Sequence, residues 1–481
     1  MKLSLSTFLV LFMAFSFAFG LTLACDDDDD DDDAAGDDDD TGDDDTGGDD
    51  DTGGDDDTGG DDDTACPDAD GDGFTDAACG GEDCNDADDT IYPGAEEICD
   101  DNIDQDCDDV ADDGCLAVEI ETIVEDGFFC PTLMSSYVRC HDLAYDSDGN
   151  PHVAFWEAGE GDLKYATKTA KDKDWTIVFL DSEGDVGRDP SIAVAPNGRI
   201  GIAYYTSGSK EIRYAWKDPG GDWLIISLGA HGGLLEIGGD PHIQFDDSNM
   251  AHITAIKFAL AWNIMYHQEF SLGAFNSTRI YTEGTSAFGA DFMLNAATNM
   301  AGIVRHYDDY TDGVNRIFYG TYDFTNEATE EDIDDFSDAE VSTLFNAFAF
   351  DGNDVPHVFF QRGMPMTIIL AQKIEGTWQK SSLPDDDHAQ LTGPLCADRS
   401  PDGTVWVSYG SDFPLTPIIG HLQGEDWTFY EMLDNGAGEY GKSASLAVAP
   451  NGLPGVTFTY EPDFVNGELR YARLTGTLPV D

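Results

Sequence analysis

Alternating aspartates in two short stretches are the side chains of this sequence best suited to chemistry. Carboxylates at alternate positions, followed by a glycine turn, let one loop place several oxygens around a hard cation. The sequence therefore predicts a metal site within residues 64–115. The candidate ligands are Asp68, Asp70, Asp72, Phe74, Asp76, Asp86, Asp88, Asp104, Asp106, Asp108 and Asp112.

The first stretch, from Asp68 to Asp76, has the spacing that opens an EF-hand loop. The bidentate glutamate of such a loop belongs at the twelfth position, where this chain has Cys79. We expect a structural calcium ion with a weak affinity of about 10⁻⁴–10⁻³ M, as in extracellular modules. The alternative is that these acids merely continue the acidic segment before them.

Cysteines are concentrated in the same stretch. In an exported chain, six of them within 50 residues indicate three disulfides, and the 15 pairings that six cysteines allow stay open. Two more in the following loop are expected to pair with each other, and Cys396 is expected to be a small buried residue. The predicted disulfide cysteines are Cys66, Cys79, Cys84, Cys99, Cys107, Cys115, Cys130 and Cys140.

The first aspartate ladder resembles the calcium loops of thrombospondin type 3 repeats. The longer pattern from Asp70 through Asp83-Cys-Asn-Asp-Ala-Asp to Ile103-Asp-Gln-Asp-Cys107 resembles the MopE-type copper-binding repeat of exported bacterial proteins, across residues 66–115. That resemblance implies copper. Residues 64–115 contain neither His nor Met, however, and hard oxygen ligands suit calcium better, so copper is the alternative cofactor.

A second set of candidate residues lies in the larger part of the chain. Strand counting places these side chains on one face, where inner strands begin, and a ring of carboxylates, histidines and arginines there could bind a metal, a sugar or a peptide. The favoured interpretation is nevertheless that they line a solvated channel and cap strands. They are His141, Asp142, Arg188, Asp189, Asp240, His242, Asp291, Arg305, His306 and Arg362.

The elements that position this second set repeat along the chain. An alternating apolar strand, a turn and a second alternating strand recur seven times from residue 116, with turns 49 to 55 residues apart. Several copies continue into a third and a fourth strand. The turn residues are Gly149, Gly198, Asn249, Asn299, Asp354, Gly403 and Gly452.

Four short strands per repeat of about 50 residues predict an all-β fold, a seven-bladed β-propeller over 116–481. The seventh copy ends after its third strand, whereas residues 118–124 form a lone alternating strand before the first copy. We expect this strand to complete the seventh blade and close the ring, leaving no exposed sheet edge there.

The repeat rhythm of residues 117–476 resembles the sialidase-like, BNR-type propellers. Sialidases carry an Arg-Ile-Pro motif and Ser-x-Asp-x-Gly-x-x-Trp boxes, and neither string occurs in this chain. The resemblance therefore implies a fold and no activity.

The charge of the chain excludes some partners. Its 99 acidic and 22 basic side chains give a formal net charge of −77, which disfavours nucleic acids and anionic lipids. Residues 25–63 repeat Asp with Gly and Thr, and predict a disordered, extended tether. Residues 116–481 still carry −35, which suits either basic partners and divalent ions or, the preferred reading, salty surroundings.

The chain begins with a basic residue and an apolar stretch from Leu3 to Leu23, typical of an export signal over residues 1–24. The following Leu21-Thr-Leu-Ala-Cys25 resembles the lipobox of bacterial lipoproteins, although Thr22 replaces the usual apolar residue. We expect lipidation at Cys25; the alternative is a cleaved, freely secreted protein. No second apolar stretch of membrane-spanning length follows.

Together these patterns predict a monomeric, exported, lipid-anchored bacterial protein at the cell surface or in the periplasm. Its calcium module carries a non-catalytic propeller that binds an extracellular ligand, protein or glycan. The first alternative is a propeller glycoside hydrolase or lyase, which would need two close carboxylates or a base beside an arginine cluster. The second alternative is copper scavenging through the cysteine-rich module.

Overall fold

The structure is a computed structural model. It describes residues 67–95, 97–98, 103–108, 111, 115–125, 127–128, 130, 139–230, 239–258, 262–283, 287–295, 298, 300–309, 314–324, 328–337, 346–362, 367–384, 395–410, 416–423, 426–432, 439–463 and 466–476. The predicted signal, Cys25, the tether, Cys66, Cys99 and Asp112 lie outside these residues. In the described residues, no helix has the length and apolarity needed to cross a membrane.

The module between residues 67 and 115 has little regular structure. A single 3₁₀ turn, Ala77–Cys79, is capped by Asp76, whose side chain accepts a hydrogen bond from the Ala78 amide at 2.8 Å. The Phe74 ring stacks on Tyr92 with centroids 5.5 Å apart. Cys84 pairs with Cys107, and Cys79 and Cys115 are also disulfide-bonded. Because the described part of the module buries little apolar surface, we attribute its stability mainly to these disulfides.

The rest of the described chain is a seven-bladed β-propeller, which confirms the predicted fold. Its 28 strands form seven four-stranded antiparallel sheets, numbered here as blades I to VII. Blade I contains β2 (His141–Tyr145), β3 (Pro151–Glu157), β4 (Asp162–Thr167) and β5 (Thr176–Asp181); blade II contains β6 (Val186–Val194), β7 (Ile200–Thr206), β8 (Glu211–Lys217) and β9 (Leu224–Ala230). Blade III contains β10 (Gly239–Phe245), β11 (Ala251–Phe258), β12 (Trp262–Ser271) and β13 (Ala274–Glu283); blade IV contains β14 (Ala287–Asn295), β15 (Met300–Asp309), β16 (Val314–Tyr322) and β17 (Thr329–Ser337).

Blades V to VII continue the same order. Blade V contains β18 (Asn346–Phe350), β19 (Pro356–Arg362), β20 (Thr367–Ile374) and β21 (Thr377–Ser382); blade VI contains β22 (Cys396–Arg399), β23 (Val405–Gly410), β24 (Pro417–Gln423) and β25 (Asp426–Glu431). Blade VII contains β26 (Glu439–Val448), β27 (Pro454–Asp463) and β28 (Asn466–Thr475), together with β1 (Ala117–Val124). In each blade the first strand of the repeat is the inner one.

The ring closes through β1, as the sequence predicted. This strand pairs antiparallel with β28, from Ala117 opposite Thr475 to Val124 opposite Leu469. It is therefore the outermost strand of blade VII although it comes first in the chain. Closure joins the two ends of the propeller by backbone hydrogen bonds, so that blades VII and I become neighbours in the same way as any other pair.

The hairpin between the first two strands has a common geometry in blades I, III and V. Asp146, Asp246 and Asp351 each accept hydrogen bonds from the backbone amides two and four residues on. The turn residue near the end of the hairpin has a positive φ, for example 62° at Asn249 and 60° at Asp354. Residues that tolerate this conformation are glycine, asparagine and aspartate, which explains the recurring residue types.

Large side chains from the first strand of one blade pack on the second strand of the preceding blade. A Cβ atom built on Gly201 would lie 2.7 Å from the Phe245 ring, and one on Gly302 would lie 2.8 Å from the Phe348 ring. A side chain at either glycine would therefore push the next blade away. The hydrophobic core is accordingly a series of layers between blades, rather than a single central cluster.

Candidate functional site

The first aspartate loop folds so that its carboxylates bind its own backbone. The two oxygens of Asp68 accept hydrogen bonds from the amides of Gly71, at 2.7 Å, and Gly73, at 3.1 Å. The Oδ1 atom of Asp70 accepts from the Asp72 amide, and that of Asp72 accepts from the Phe74 amide. These hydrogen bonds wind the loop and leave one oxygen each of Asp70 and Asp72 over.

Asp83 joins this loop from the following segment. Its backbone amide donates to the Thr75 carbonyl at 3.1 Å, and its carbonyl accepts from the Ala77 amide at 2.7 Å. The Oδ1 atom of Asp83 accepts from the Asn85 amide, and the residue is fully buried. Asp86 approaches the same loop, because its Oδ1 atom accepts from the Ala69 amide at 2.9 Å.

The remaining oxygens converge. One carboxylate oxygen each from Asp70, Asp72 and Asp83 lies within 4.8 Å of the others, and the same holds for Asp68, Asp70 and Asp86. The Oδ2 atoms of Asp70, Asp72 and Asp83 are buried without a hydrogen-bond partner in the described part of the chain. Burying unsatisfied carboxylate oxygens together is unfavourable unless a cation joins them. The residues present therefore fit a hard metal ion.

Electrostatic repulsion within the loop is visible at Asp72. The Phe74 amide lowers the pKa of this carboxyl, but partial burial and the neighbouring carboxylates of Asp70, Asp83 and Asp68 outweigh it and raise the pKa above its usual value of 3.8. A divalent cation would reverse this repulsion.

The other predicted ligands have different positions. Asp76 caps the 3₁₀ turn, and Asp88 accepts hydrogen bonds from the amide and hydroxyl of Thr90. Asp104 and Asp106 form a second carboxylate cluster with Glu97, whose Oε1 atom accepts from the Gln105 and Asp106 amides. The Asp108 amide donates to both Asp104 and Asp106.

On the propeller, several candidate residues link neighbouring blades. The first-strand side chain of one blade accepts a hydrogen bond from a first-strand amide of the next. Asp142 accepts from Ile192 at 2.8 Å and also from the Ser445 hydroxyl, and Asp291 accepts from Phe348 at 3.0 Å. Six blade junctions have such a bond, with Asp142, Ser191, Gln244, Asp291, Asp398 and Ser445 as the acceptors.

Four side chains on or next to the first strands of blades I, III and IV meet, and we name them the propeller-face cluster: Arg139, Asp240, His242 and Asp291. The Nη2 atom of Arg139 lies 3.3 Å from Asp240 Oδ1 and 3.4 Å from His242 Nε2, and it donates to the Pro241 carbonyl at 2.8 Å. His242 Nε2 lies 3.4 Å from Asp240 Oδ1, and its Nδ1 lies 3.3 Å from Asp291 Oδ1.

Asp189 holds Arg139 in place. Its Oδ1 atom accepts from the Arg139 amide at 2.9 Å, and its own amide donates to the Arg139 carbonyl at 3.1 Å. Burial and the nearby Asp240 carboxylate raise the pKa of Asp189 to about 7, in spite of Arg139. Next to Arg139, the disulfide Cys130–Cys140 fixes the chain that enters β2.

The pKa of His242 is raised as well. Burial and the Arg139 guanidinium lower its pKa, but the carboxylates of Asp240 and Asp291 outweigh them, and the pKa rises to about 9 from the usual 6.5. His242 is therefore a cation at neutral pH, held between two carboxylates.

This shift gives a prediction on pH dependence. Because the folded protein binds the His242 proton more tightly than the unfolded chain does, the stabilisation is complete below about pH 6.5 and is lost as the pH rises through about 9. We expect the free energy of unfolding to fall less over this range in a His242→Gln variant. Denaturant titrations at a series of pH values measure it; an equal fall in both proteins would contradict the assignment.

The other predicted face residues are engaged elsewhere. Arg188 pairs with Asp185 at 2.7 Å, and Arg362 pairs with Asp334 at 2.9 Å. Arg305 and His306 lie on β15, where Arg305 pairs with Glu330 at 2.5 Å. His141 is fully buried, and its Nδ1 atom lies 2.9 Å from the Thr457 hydroxyl. The structure therefore brings together Asp189, Asp240, His242 and Asp291 from the predicted set.

Two residues of these sites were missed by sequence reasoning. Asp83 was part of the repeat pattern but was not counted as a ligand, because it lies outside the alternating ladders. Arg139 precedes the first strand of blade I, so that counting positions along the strands did not include it. Its position beside Cys140 was the available signal, since a disulfide restricts where that stretch of chain can lie.

Comparison with known families supports the metal module. Residues 83–113 match the family model of the MopE-type copper-binding repeat, a metal-binding motif. The match confirms the predicted resemblance over this narrower range, which begins at Asp83. It covers a small part of the chain, and no curated protein matches the chain as a whole.

Solved structures with the same fold include enzymes that act on polysaccharides. The polysaccharide lyase Uly1 is 9% identical with a TM-score of 0.51, over 75% of this chain and 99% of its own. A PL25 ulvan lyase is 10% identical with a TM-score of 0.52, over 72% and 94%. A leech intramolecular trans-sialidase is 10% identical with a TM-score of 0.40, over 73% and 70%. At these identities the likeness of the two lyases shows the propeller fold alone.

Proposed function

We propose that the module binds one calcium ion between the loop Asp68–Asp76 and the side chains of Asp83 and Asp86, and that the ion stabilises the module. The observation that carries this proposal is the convergence of three buried carboxylate oxygens, on Asp70, Asp72 and Asp83, without a hydrogen-bond donor in the described part of the chain. Asp83 takes the place of the glutamate that closes an EF-hand loop, and it arrives from outside the loop.

Calcium fits these ligands better than copper does. Every side chain of the two clusters at this loop is a carboxylate, whose oxygens are hard donors, whereas copper selects nitrogen and sulfur ligands. Residues 64–115 have no His or Met, and Cys84 and Cys107 are joined in a disulfide and so provide no thiolate. The copper-scavenging alternative would need ligands of a kind that this cluster lacks.

Native mass spectrometry of the full chain, produced in an oxidising compartment, tests the choice of metal. We expect a calcium adduct that is lost with a chelator, a more open charge-state distribution after chelation, and no preference when copper is offered at equal concentration. Copper retained in the presence of excess calcium would overturn the calcium assignment and make metal handling the leading function.

We further propose that the propeller is a non-catalytic recognition platform for an extracellular ligand. In support, the predicted arginines Arg188, Arg305 and Arg362 are each paired with an acid of their own or the preceding blade. The carboxylates of Asp142 and Asp291 each accept a hydrogen bond from a backbone amide of the next blade. These side chains hold the ring together, and a ring of this kind presents its loops for binding.

An enzyme of the hydrolase or lyase class is the second candidate. One observation favours it: the His242 Nδ1 atom lies beside Asp291 while its Nε2 atom lies beside Arg139, which places a protonated imidazole, a potential general acid, next to an arginine. The propeller of two polysaccharide lyases is similar in fold. Incubating the full chain with a panel of polysaccharides and following reducing ends or new carbon–carbon double bonds would reveal turnover.

The cellular setting is part of the proposal. The apolar N-terminal stretch and Cys25 support export and lipid anchoring, and the disulfides Cys84–Cys107 and Cys130–Cys140 suit an oxidising compartment. The aspartate-rich residues 25–63 would then hold the module and propeller away from the membrane as a monomeric surface protein. The net charge of −77 disfavours nucleic acid as a partner.

A further inference from the structure

We propose that the propeller-face cluster is the ligand site of the propeller and that its ligand is an uncharged sugar, bound through its hydroxyl groups. This inference rests on the propeller being a recognition platform, and it adds the place and the chemical class of the ligand. It depends on the spacing of the four side chains, the backbone that presents them and the balance of their charges.

The four side chains alternate hydrogen-bond donors with acceptors at unusually long separations. Arg139 to Asp240 measures 3.3 Å, Asp240 to His242 measures 3.4 Å, and His242 to Asp291 measures 3.3 Å. Charge-assisted hydrogen bonds normally shorten to about 2.7–2.9 Å. In addition, the Nε atom of Arg139 is buried without a partner in the described part of the chain. The four side chains thus bind one another only loosely, while Arg139 Nη2 also donates to the Pro241 carbonyl and the two Asp291 oxygens accept from the amides of Phe292 and Phe348.

The backbone that presents the cluster is strained. Asp189 and Asp240 have φ angles of 51° and 43°, and each is followed by a proline, which makes this conformation less favourable still. The pairing of first and second strands is irregular at both places. Such strain costs roughly 1–3 kcal/mol per residue and is concentrated at binding and active sites. Because equivalent residues of two adjacent blades are both strained, we take the strain as a sign of a binding site.

The cluster has no surplus positive charge. Arg139 and the protonated His242 carry two positive charges, Asp240 and Asp291 carry two negative ones, and the carboxyls of Asp142 and Asp189 also lie near Arg139. An anionic ligand finds no surplus positive charge, and the charge of −35 on residues 116–481 repels polyanions. A cationic ligand would have to displace Arg139 or His242 from the carboxylates that they already contact.

A sugar hydroxyl is uncharged and can both donate and accept hydrogen bonds, as a ligand of this cluster has to. Each hydroxyl donates one hydrogen bond and accepts up to two, so neighbouring hydroxyls on one ring can donate to a carboxylate and accept from Arg139 or His242 at the same time. The side chains reach solvent, with 18% exposure at Arg139, 30% at Asp240, 18% at His242 and 21% at Asp291. A site built from a few directed polar groups selects the arrangement of hydroxyls rather than net charge.

A glycan array tests the inference. The full chain with calcium is applied to printed neutral, uronic-acid-containing and sulfated oligosaccharides, followed by calorimetric titration with the strongest neutral oligosaccharide. We expect binding to neutral glycans only, and at least a tenfold loss of affinity, about 1.4 kcal/mol, in an Asp240→Asn variant. Asp247→Asn is the matched control, because Asp247 is exposed in a hairpin of the same blade and its substitution removes the same charge. If Asp240→Asn unfolds, His242→Gln replaces it.

Several results would overturn the inference. Preferential binding of uronic-acid or sulfated glycans would show an anion site, and product release from any glycan would show an enzyme. Neutral glycan binding that survives Asp240→Asn would place the ligand elsewhere on the propeller, and the recognition platform would stand without this site. Binding to no glycan at all would also sink the assignment of a sugar, while the calcium experiment on the module would be unaffected.

Discussion

An Asp83→Asn substitution is expected to lower calcium affinity by more than about 100-fold, because even partners outside the first ligand shell contribute about 10–100-fold in metal sites. The effect of this substitution on the stability of the module should also have opposite signs with and without calcium. Without calcium, removing one carboxylate relieves the repulsion among Asp70, Asp72 and Asp83, so the variant module should be more stable than the native one. With calcium, the variant should be less stable, because it loses the binding free energy.

Calorimetric titration with calcium and thermal unfolding with and without chelator measure both effects in the full chain. Asp88→Asn is the matched control. Asp88 lies five residues away and is exposed, and its side chain accepts hydrogen bonds only from Thr90 in the contacts that the described residues show. We expect the control to keep native calcium affinity. If the two variants bind calcium equally, then Asp83 is not a ligand and its buried oxygen needs another explanation.

An Asp142→Ala substitution is expected to cost the most stability of any single polar change in the propeller. Asp142 accepts hydrogen bonds from the Ile192 amide at 2.8 Å and the Ser445 hydroxyl at 2.6 Å, so it joins blade I to blades II and VII. Its removal leaves two donors without their acceptor in the interior of the ring. Each such group costs about 1–3 kcal/mol, and we expect a total loss of roughly 2–5 kcal/mol.

Denaturant unfolding of the full chain, monitored by tryptophan fluorescence, measures this loss. Asp148→Ala is a suitable control, because Asp148 is exposed in the hairpin of the same blade and only its backbone amide bonds to Asp146. An Asp142→Asn variant keeps an acceptor oxygen and should recover part of the stability. A native-like free energy of unfolding for Asp142→Ala would show that packing between blades, and not this hydrogen bond, joins the first and last blades.

Features with a local cause could be predicted from the sequence. Turn residues with positive φ, such as Asn249 and Asp354, recur with the repeat because only a few residue types tolerate that conformation. The unpaired alternating strand at 118–124 predicted closure, because a three-stranded last blade would expose an edge. The amide bonds of Asp68, Asp70 and Asp72 follow from spacing within one loop.

Features that depend on distant parts of the chain could not be predicted in the same way. Asp83 reaches the loop because its backbone pairs with Thr75 and Ala77. Arg139 reaches the propeller face because Asp189, 50 residues away, binds its backbone. Strand counting placed Asp142 and Asp291 on the correct strands, but their hydrogen bonds to the next blade arise only when the blades pack. A side chain's element was therefore easier to predict than its partner.

The position of β1 sets the order in which the chain can fold. Ala117 pairs with Thr475, so the last hydrogen bonds of the ring join residues separated by 358 positions. Blades I to VI contain only contacts that are local by comparison, and each can form while the rest of the chain is still emerging. Blade VII has to wait for the final strand, and closing so large a loop is entropically expensive and slow. Until that moment β1 has no partner, and a chain that stops short of residue 466 would leave β1 and β27 with exposed edges.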